Sequence, residues 1–200
     1  MAWFYGAIKR PISLNYSKGG MKRPLHGLVL HIEEGTEAGT RAWFNTSVKD
    51  RQAAFDAEWE KKGKKGPHLV AYGSSAHFGN PKSGPLEQFV DTNDQAWAQG
   101  TGNQQWISVE NEGFSGQSLT DGQISRLAQL MIWLNQTEGV PLQLADTTIE
   151  FGLGYHSMGG NAWGGHLRCP GDKIIAQRQA IIDLANQMLT WVPDVISGAG

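Results

Sequence analysis

The segment Leu25-His-Gly-Leu-Val-Leu-His31 constrains the fold of this chain more than any other stretch. It alternates and then runs apolar, as a buried strand does, and the turn-forming Glu33-Glu-Gly-Thr36 follows at once. His31 therefore stands at a strand end, where sites are commonly built.

Other elements interleave around it. Residues 40 to 60 read as a helix anchored by Trp43, Phe44, Phe55 and Trp59, and Lys61-Lys-Gly-Lys-Lys65 ends it as a solvated basic loop. Ser74-Ser-Ala-His-Phe78 and Leu86-Glu-Gln-Phe-Val90 read as strands joined by the turn Asn80-Pro-Lys-Ser-Gly84, and Trp106-Ile-Ser-Val-Glu110 as a third. Thr120 and Gln123 form a capping box ahead of Ile124, Leu127, Ala128, Met131 and Leu134 at helical spacing. A last helix follows Cys169-Pro-Gly-Asp172, with Ile174, Ile175, Ile181, Ile182, Ala185, Met188 and Leu189 on its apolar face. Strands and helices alternating in this way predict one α/β domain, a central mixed sheet flanked by helices. Pro193 to Gly200 reads as a frayed end or the start of a linker.

Two hundred residues with 40% hydrophobic content suit a single core. A net charge of −2 gives no field that would draw the chain onto nucleic acid or an anionic membrane. No apolar run reaches membrane-spanning length, and the first charges follow a short apolar patch, the reverse of a secretory signal. The expectation is a protein made in the cytoplasm. One cysteine excludes an intrachain disulfide, leaving Cys169 as a thiolate, a core residue or a ligand. Eight Trp and 26 Gly suggest aromatic-lined clefts framed by loops.

The densest chemistry lies in Gly154-Tyr-His-Ser-Met-Gly-Gly-Asn-Ala-Trp-Gly-Gly-His-Leu-Arg-Cys-Pro-Gly-Asp172, two histidines and the cysteine among six glycines. A hydrolytic zinc site needs three protein ligands and an open fourth position. His31 with His156 or His166, plus Cys169, makes such a set. Zinc supplies both needs of amide hydrolysis, a water acidified to a pKa of roughly 7 and a polarised carbonyl. There is no Gly-x-Ser-x-Gly elbow, phosphate-cradling glycine loop or dinucleotide fingerprint, and no signature of a cysteine protease.

Four collinear blocks then carry a family resemblance: Leu28-Val-Leu-His-Ile-Glu-Glu-Gly35; Ser75-Ala-His-Phe78 with Gln88-Phe-Val-Asp91 and Ala96-Trp97; Ile107-Ser-Val-Glu-Asn-Glu-Gly113; and Gly154-Tyr-His156 leading to Cys169-Pro-Gly-Asp172. Together they resemble the zinc-dependent N-acetylmuramoyl-L-alanine amidases, which include phage endolysins and, more distantly, the peptidoglycan recognition proteins. The resemblance runs from about Leu25 to Leu189. It implies a catalytic domain over residues 25–191, an N-terminal extension (1–24) packed on it, and a tail from 192 to 200.

It also implies His31, His156 and Cys169 as zinc ligands and Glu110 as the general base. The thirteen-residue step from His156 to Cys169 is longer than the family's usual spacing, so His166 stays open as the second ligand. Leu167 stands where many relatives carry an oxyanion-assisting lysine, which makes His166 or Arg168 the substitute. The implied reaction cleaves the bond between N-acetylmuramic acid and L-alanine in bacterial peptidoglycan, by a monomer acting after release from a phage-infected cell or injection into a rival. The alternatives are a non-catalytic recognition module of the same fold and a structural zinc site closed by His31, His156, His166 and Cys169.

The remaining residues have plainer readings. His77 reads as a hydrogen-bonded structural residue, and His26 and His68 as packing or surface. Trp97 and Trp163 divide evenly between groove and core, whereas Trp43 and Trp133 at helical spacing read as packing.

Overall fold

The computed structural model describes residues 3 to 190, so the expectation for Pro193 to Gly200 lies outside the described residues. A six-stranded mixed sheet forms the centre, built from β1 (Ala7–Lys9), β3 (Gly27–Ile32), β4 (Phe78–Asn80), β5 (Leu86–Gln88), β7 (Trp106–Asn111) and β8 (Gly152–Tyr155). A separate antiparallel pair joins β2 (Tyr16–Ser17) to β6 (Gln95–Ala96). The helices are α1 (Glu37–Phe44), α2 (Val48–Lys61), α3 (Asp121–Glu138) and α4 (Asp172–Thr190).

The strand order is β1-β5-β4-β7-β3-β8, with β4 and β5 antiparallel across the expected turn and every other pairing parallel. β3 lies between β7 and β8 and is buried along its whole length. Period-2 alternation gives its two faces different work. Leu28, Leu30 and Ile32 join Ile107 and Val109 of β7 in the main core, against Leu127, Met131 and Leu134 of α3 and Ile174, Ile181 and Ala185 of α4. Val29 turns the other way, into a small cluster with Trp106 and Trp163. His31 shares that parity, and so does Glu110 of β7, its direct partner in register. The strand pattern thus carries both side chains to the face opposite α3 and α4.

The helix termini explain themselves. The Thr120 hydroxyl accepts from Gln123 N–H while the Gln123 side chain accepts from Thr120 N–H, and Gly139 at φ 72° closes α3.

The helix expected over residues 40–60 is two helices. Asn45-Thr46-Ser47 breaks it, because Ser47 caps Asp50 N–H and starts α2 anew. Of the expected anchors only Phe44 is buried; α2 is held instead by Arg51, which is fully buried. Its guanidinium donates to the carbonyls of Tyr72, Trp43 and Ser74 and stacks on the Trp43 ring at 4.1 Å.

The strand expected over Ser74–Phe78 starts only at Phe78. Before it the backbone partners lie off the ladder: Ser75 N–H donates to the Trp97 carbonyl and His77 N–H to the Ser108 hydroxyl. Likewise β5 ends at Gln88, after which Phe89 accepts from Ile12.

β8 was hidden in sequence by its glycines, yet they are what lets it pair. A Cβ on Gly27 of β3 would sit 1.8 Å from the Gly152 carbonyl oxygen. Gly152 itself lies at φ +135°, where side chains are strained.

Candidate metal centre

β3, the end of β8 and the approach to α4 meet at one point. His156 follows β8 directly, at the start of a 3-10 segment over His156–Trp163. A hydrogen bond from Ser157 N–H to the Cys169 carbonyl, 2.8 Å, folds the glycine-rich loop back so that His156 and Cys169 become neighbours. One ligand atom from each of His31, His156 and Cys169 lies within 4.8 Å of the other two. Donors about 2.0–2.3 Å from a tetrahedral zinc stand roughly 3.5 Å apart, so this triangle fits that ion with a small contraction.

Both imidazoles are oriented by a partner that can only accept a proton. His31 Nε2 lies 3.2 Å from Gln99 Oε1, and the Gln99 amide nitrogen donates to the Trp106 carbonyl. His156 Nε2 lies 2.8 Å from the Trp163 carbonyl. Each Nε2 thus carries the hydrogen, and each Nδ1 keeps its lone pair for a ligand. Burial, followed by the neighbouring His156, holds His31 well below its ordinary pKa; burial brings His156 to about 4. Both rings are neutral, the form that binds metal. Burial, then the charge of Glu110, pushes the Cys169 thiol up. A cation is the natural counterweight for its thiolate.

Glu110 faces this triangle. Its Oε1 lies 3.9 Å from His31 Nδ1, and its Oε2 is buried with no hydrogen-bond partner among the described residues. Burial and the charge of Glu37 raise its pKa to about 8, the range of a group that exchanges protons near neutrality. Behind it lie two further carboxyls that the sequence did not single out. Burial and the Glu37 charge raise Glu33 to about 10, and burial and the Glu87 charge raise Glu37 to about 7.

The site opens into a cleft of about 1030 Å³. His166 and Arg168 line it and are exposed, and the His166 ring lies 5.0 Å from that of His156. His166 is outside the close triangle. Trp97 lines the cleft and is partly exposed; Trp163 also borders it but is buried against Trp106. Trp43, expected as packing, does pack on Arg51 and Phe55, but it also lines the cleft and is 39% exposed. Trp133 is buried in the main core. His77 is fully buried between Ser108 and the Asp94 carbonyl, whereas His68 is exposed beside Asp56 and His26 rests on Phe151. Gln99 had no sequence signal, since nothing in a single chain links a glutamine to a histidine 68 residues away.

Comparison with known proteins bears on the fold and the family. No curated protein matches the chain significantly. Among solved structures the chain is similar to a selenomethionine derivative of AmpD, at 20% identity and TM-score 0.62 over 90% of this chain and 96% of that one. It is also similar to the endolysin amidase LysCS from Clostridium intestinale URNW, at 14% identity and TM-score 0.55 over 92% and 99%. A third similarity is to peptidoglycan recognition protein-LE in complex with tracheal cytotoxin, a monomeric diaminopimelic acid-type peptidoglycan, at 13% identity and TM-score 0.52 over 88% and 94%. These likenesses show the fold, a central mixed sheet flanked by helices. Residues 21–172 match the sequence profile of the N-acetylmuramoyl-L-alanine amidases, more than half of the chain, and the protein belongs to that family.

Proposed function

We propose that this protein is a zinc-dependent amidase that cleaves the bond between N-acetylmuramic acid and L-alanine of peptidoglycan, with His31, His156 and Cys169 as the metal ligands. The observation that carries the reading is the convergence of two neutral imidazoles and one thiol beside a buried carboxyl whose Oε2 has no hydrogen-bond partner among the described residues. Zinc bound there would acidify a water and polarise the lactyl carbonyl.

The chain's own groups do the rest. Glu110 takes the proton of the attacking water on its free Oε2 and delivers it to the alanine nitrogen as the carbon–nitrogen bond breaks. His166 and Arg168, exposed on the cleft wall, donate hydrogen bonds to the oxygen that gains charge. The likeness to an endolysin supports action on the cell wall after release from a phage-infected cell, and no helix among the described residues is long and apolar enough to cross a membrane.

Purified sacculi incubated with the protein should yield new L-alanine amino groups, and a chelator should stop their appearance. New reducing ends without free amines would overturn the reading.

The likeness to a recognition protein bound to a peptidoglycan fragment supports a second reading, a binding module without turnover. Sacculus binding without released amines in zinc-loaded protein would select it.

A further inference from the structure

The cleft is far from uniform in charge. The histidines, Arg168 and the acids Glu33, Glu34 and Glu110 gather around the metal centre. A separate stretch of wall, made by the end of α1, residues 72–75 and Trp97, carries no ionisable side chain among the described residues except the Tyr72 phenol. It presents three large aromatic surfaces instead: Trp43 at 39% exposure, Trp97 at 36% and Tyr72 at 62%.

Both indoles are fixed. Trp43 Nε1 donates to the Ser74 hydroxyl, and Trp97 Nε1 donates to the Ser17 hydroxyl. The guanidinium of Arg51 supports Trp43 on one side and also holds the Tyr72 and Ser74 backbone. Trp97 packs over Gly73, where a Cβ would come within 2.6 Å of its ring. Rigid, half-exposed rings in a neutral wall present apolar faces at little entropic cost on binding.

We propose that Trp43, Tyr72 and Trp97 form a binding platform for an uncharged N-acetylhexosamine strand, so that the cleft takes polymeric glycan rather than a single muramyl unit. The proposal rests on the amidase reading for the orientation of the substrate. In muramyl peptide the lactyl carboxyl is consumed by the amide, which makes the glycan neutral, whereas the stem peptide carries free carboxylates. A neutral aromatic wall suits the first, and the cation at Arg168 suits the second. The volume of about 1030 Å³ is at the top of the roughly 300–1,000 Å³ usual for one small ligand, so it admits more than one sugar.

The test uses the full chain with the fully N-acetylated forms of chitobiose and chitotetraose, which are uncharged and have no scissile lactyl amide, followed by tryptophan emission and calorimetry. Chitotetraose should bind at least about tenfold more tightly than chitobiose, and Trp43→Ala and Trp97→Ala should each weaken it about tenfold, the worth of one well-packed aromatic contact. Tyr72→Ala removes a largely exposed ring and keeps the test valid if Trp43→Ala does not fold. Chitotetraose that fails to bind, or binds these variants and the unaltered protein equally, overturns the platform. So does capture of free stem tetrapeptide that these substitutions abolish. Sugar binding through the three rings in a protein that releases no amines from sacculi supports the platform while refuting the amidase reading.

Discussion

Gln99 holds His31 by the nitrogen that faces away from the metal centre, its Oε1 3.2 Å from Nε2 and its own amide fixed to the Trp106 carbonyl. The glutamine is buried and cannot turn to offer its nitrogen without leaving that carbonyl unpaired. Gln99→Leu should therefore free the His31 ring to rotate or change tautomer, and zinc affinity should fall by about 10- to 100-fold. Competition with a chelating dye measures it. Gln99→Glu keeps an acceptor for Nε2 while losing the donor to the Trp106 carbonyl, so it should retain the metal at a cost in stability; equal affinity in Gln99→Leu would show that the contact does not orient the ligand.

Glu110 is within reach of the centre without belonging to the ligand triangle. Glu110→Gln should bind zinc normally while amine release from sacculi drops by about 10²- to 10⁴-fold, the usual contribution of a general base. Parallel loss of metal and rate would make it a ligand instead.

His156 and His166 separate in the same way. His156→Ala should lose zinc, because it opens the triangle, whereas His166→Ala should keep zinc and lose rate. Atomic absorption on the purified variants decides between them, and the reverse pattern would move the second ligand to His166.

Cys169 is held as a thiol by burial and the charge of Glu110, so zinc uptake must displace its proton. Calorimetry at pH 7 in buffers of different ionisation enthalpy should report at least about one proton released per zinc. Cys169→Ser should bind far more weakly, and uptake without proton release would exclude the thiolate as ligand.

The metal-free protein should have a stability optimum on the acid side of neutrality. His31, His77 and His156 have lowered pKa values, so their contribution is lost as pH falls below about 6.5, where the unfolded histidines take up protons. Glu37, Glu110 and Glu33 are raised to about 7, about 8 and about 10, so their contribution is lost as pH rises from the unfolded value near 4.5 through those points. Above about 6.5 only the carboxyls still titrate among these groups, and Tm should decline toward pH 8. Glu37→Gln should flatten that decline in thermal melts; an unchanged slope would remove Glu37 as its source.

Periodicity sufficed for elements whose pattern is their own. β3, β7, α3 and α4 were legible because Leu28, Leu30, Ile107, Val109 and the Leu127–Leu134 face match the side they bury. The residue types point to His31, Cys169 and one of His156 and His166; only the family resemblance names His156. What escaped depended on tertiary partners. Arg51 looks like a surface residue until the carbonyls of Trp43 and Tyr72 close around it. β8 reads as a loop because glycine has no side chain to show alternation. Trp43 reads as packing because helical spacing says which face a residue shares, not whether another element covers that face.

β1 has a consequence for handling the protein. It lies at the end of the strand order, parallel to β5, with Phe4 N–H bonded to the Gln88 side chain. Shortening the chain from its start through Lys9 would bare the backbone donors and acceptors of Leu86–Gln88, a ready template for strands of other molecules. The residues matching the family profile begin only at 21, so expression from that boundary should give material that self-associates, whereas the chain with β1 present should stay dispersed.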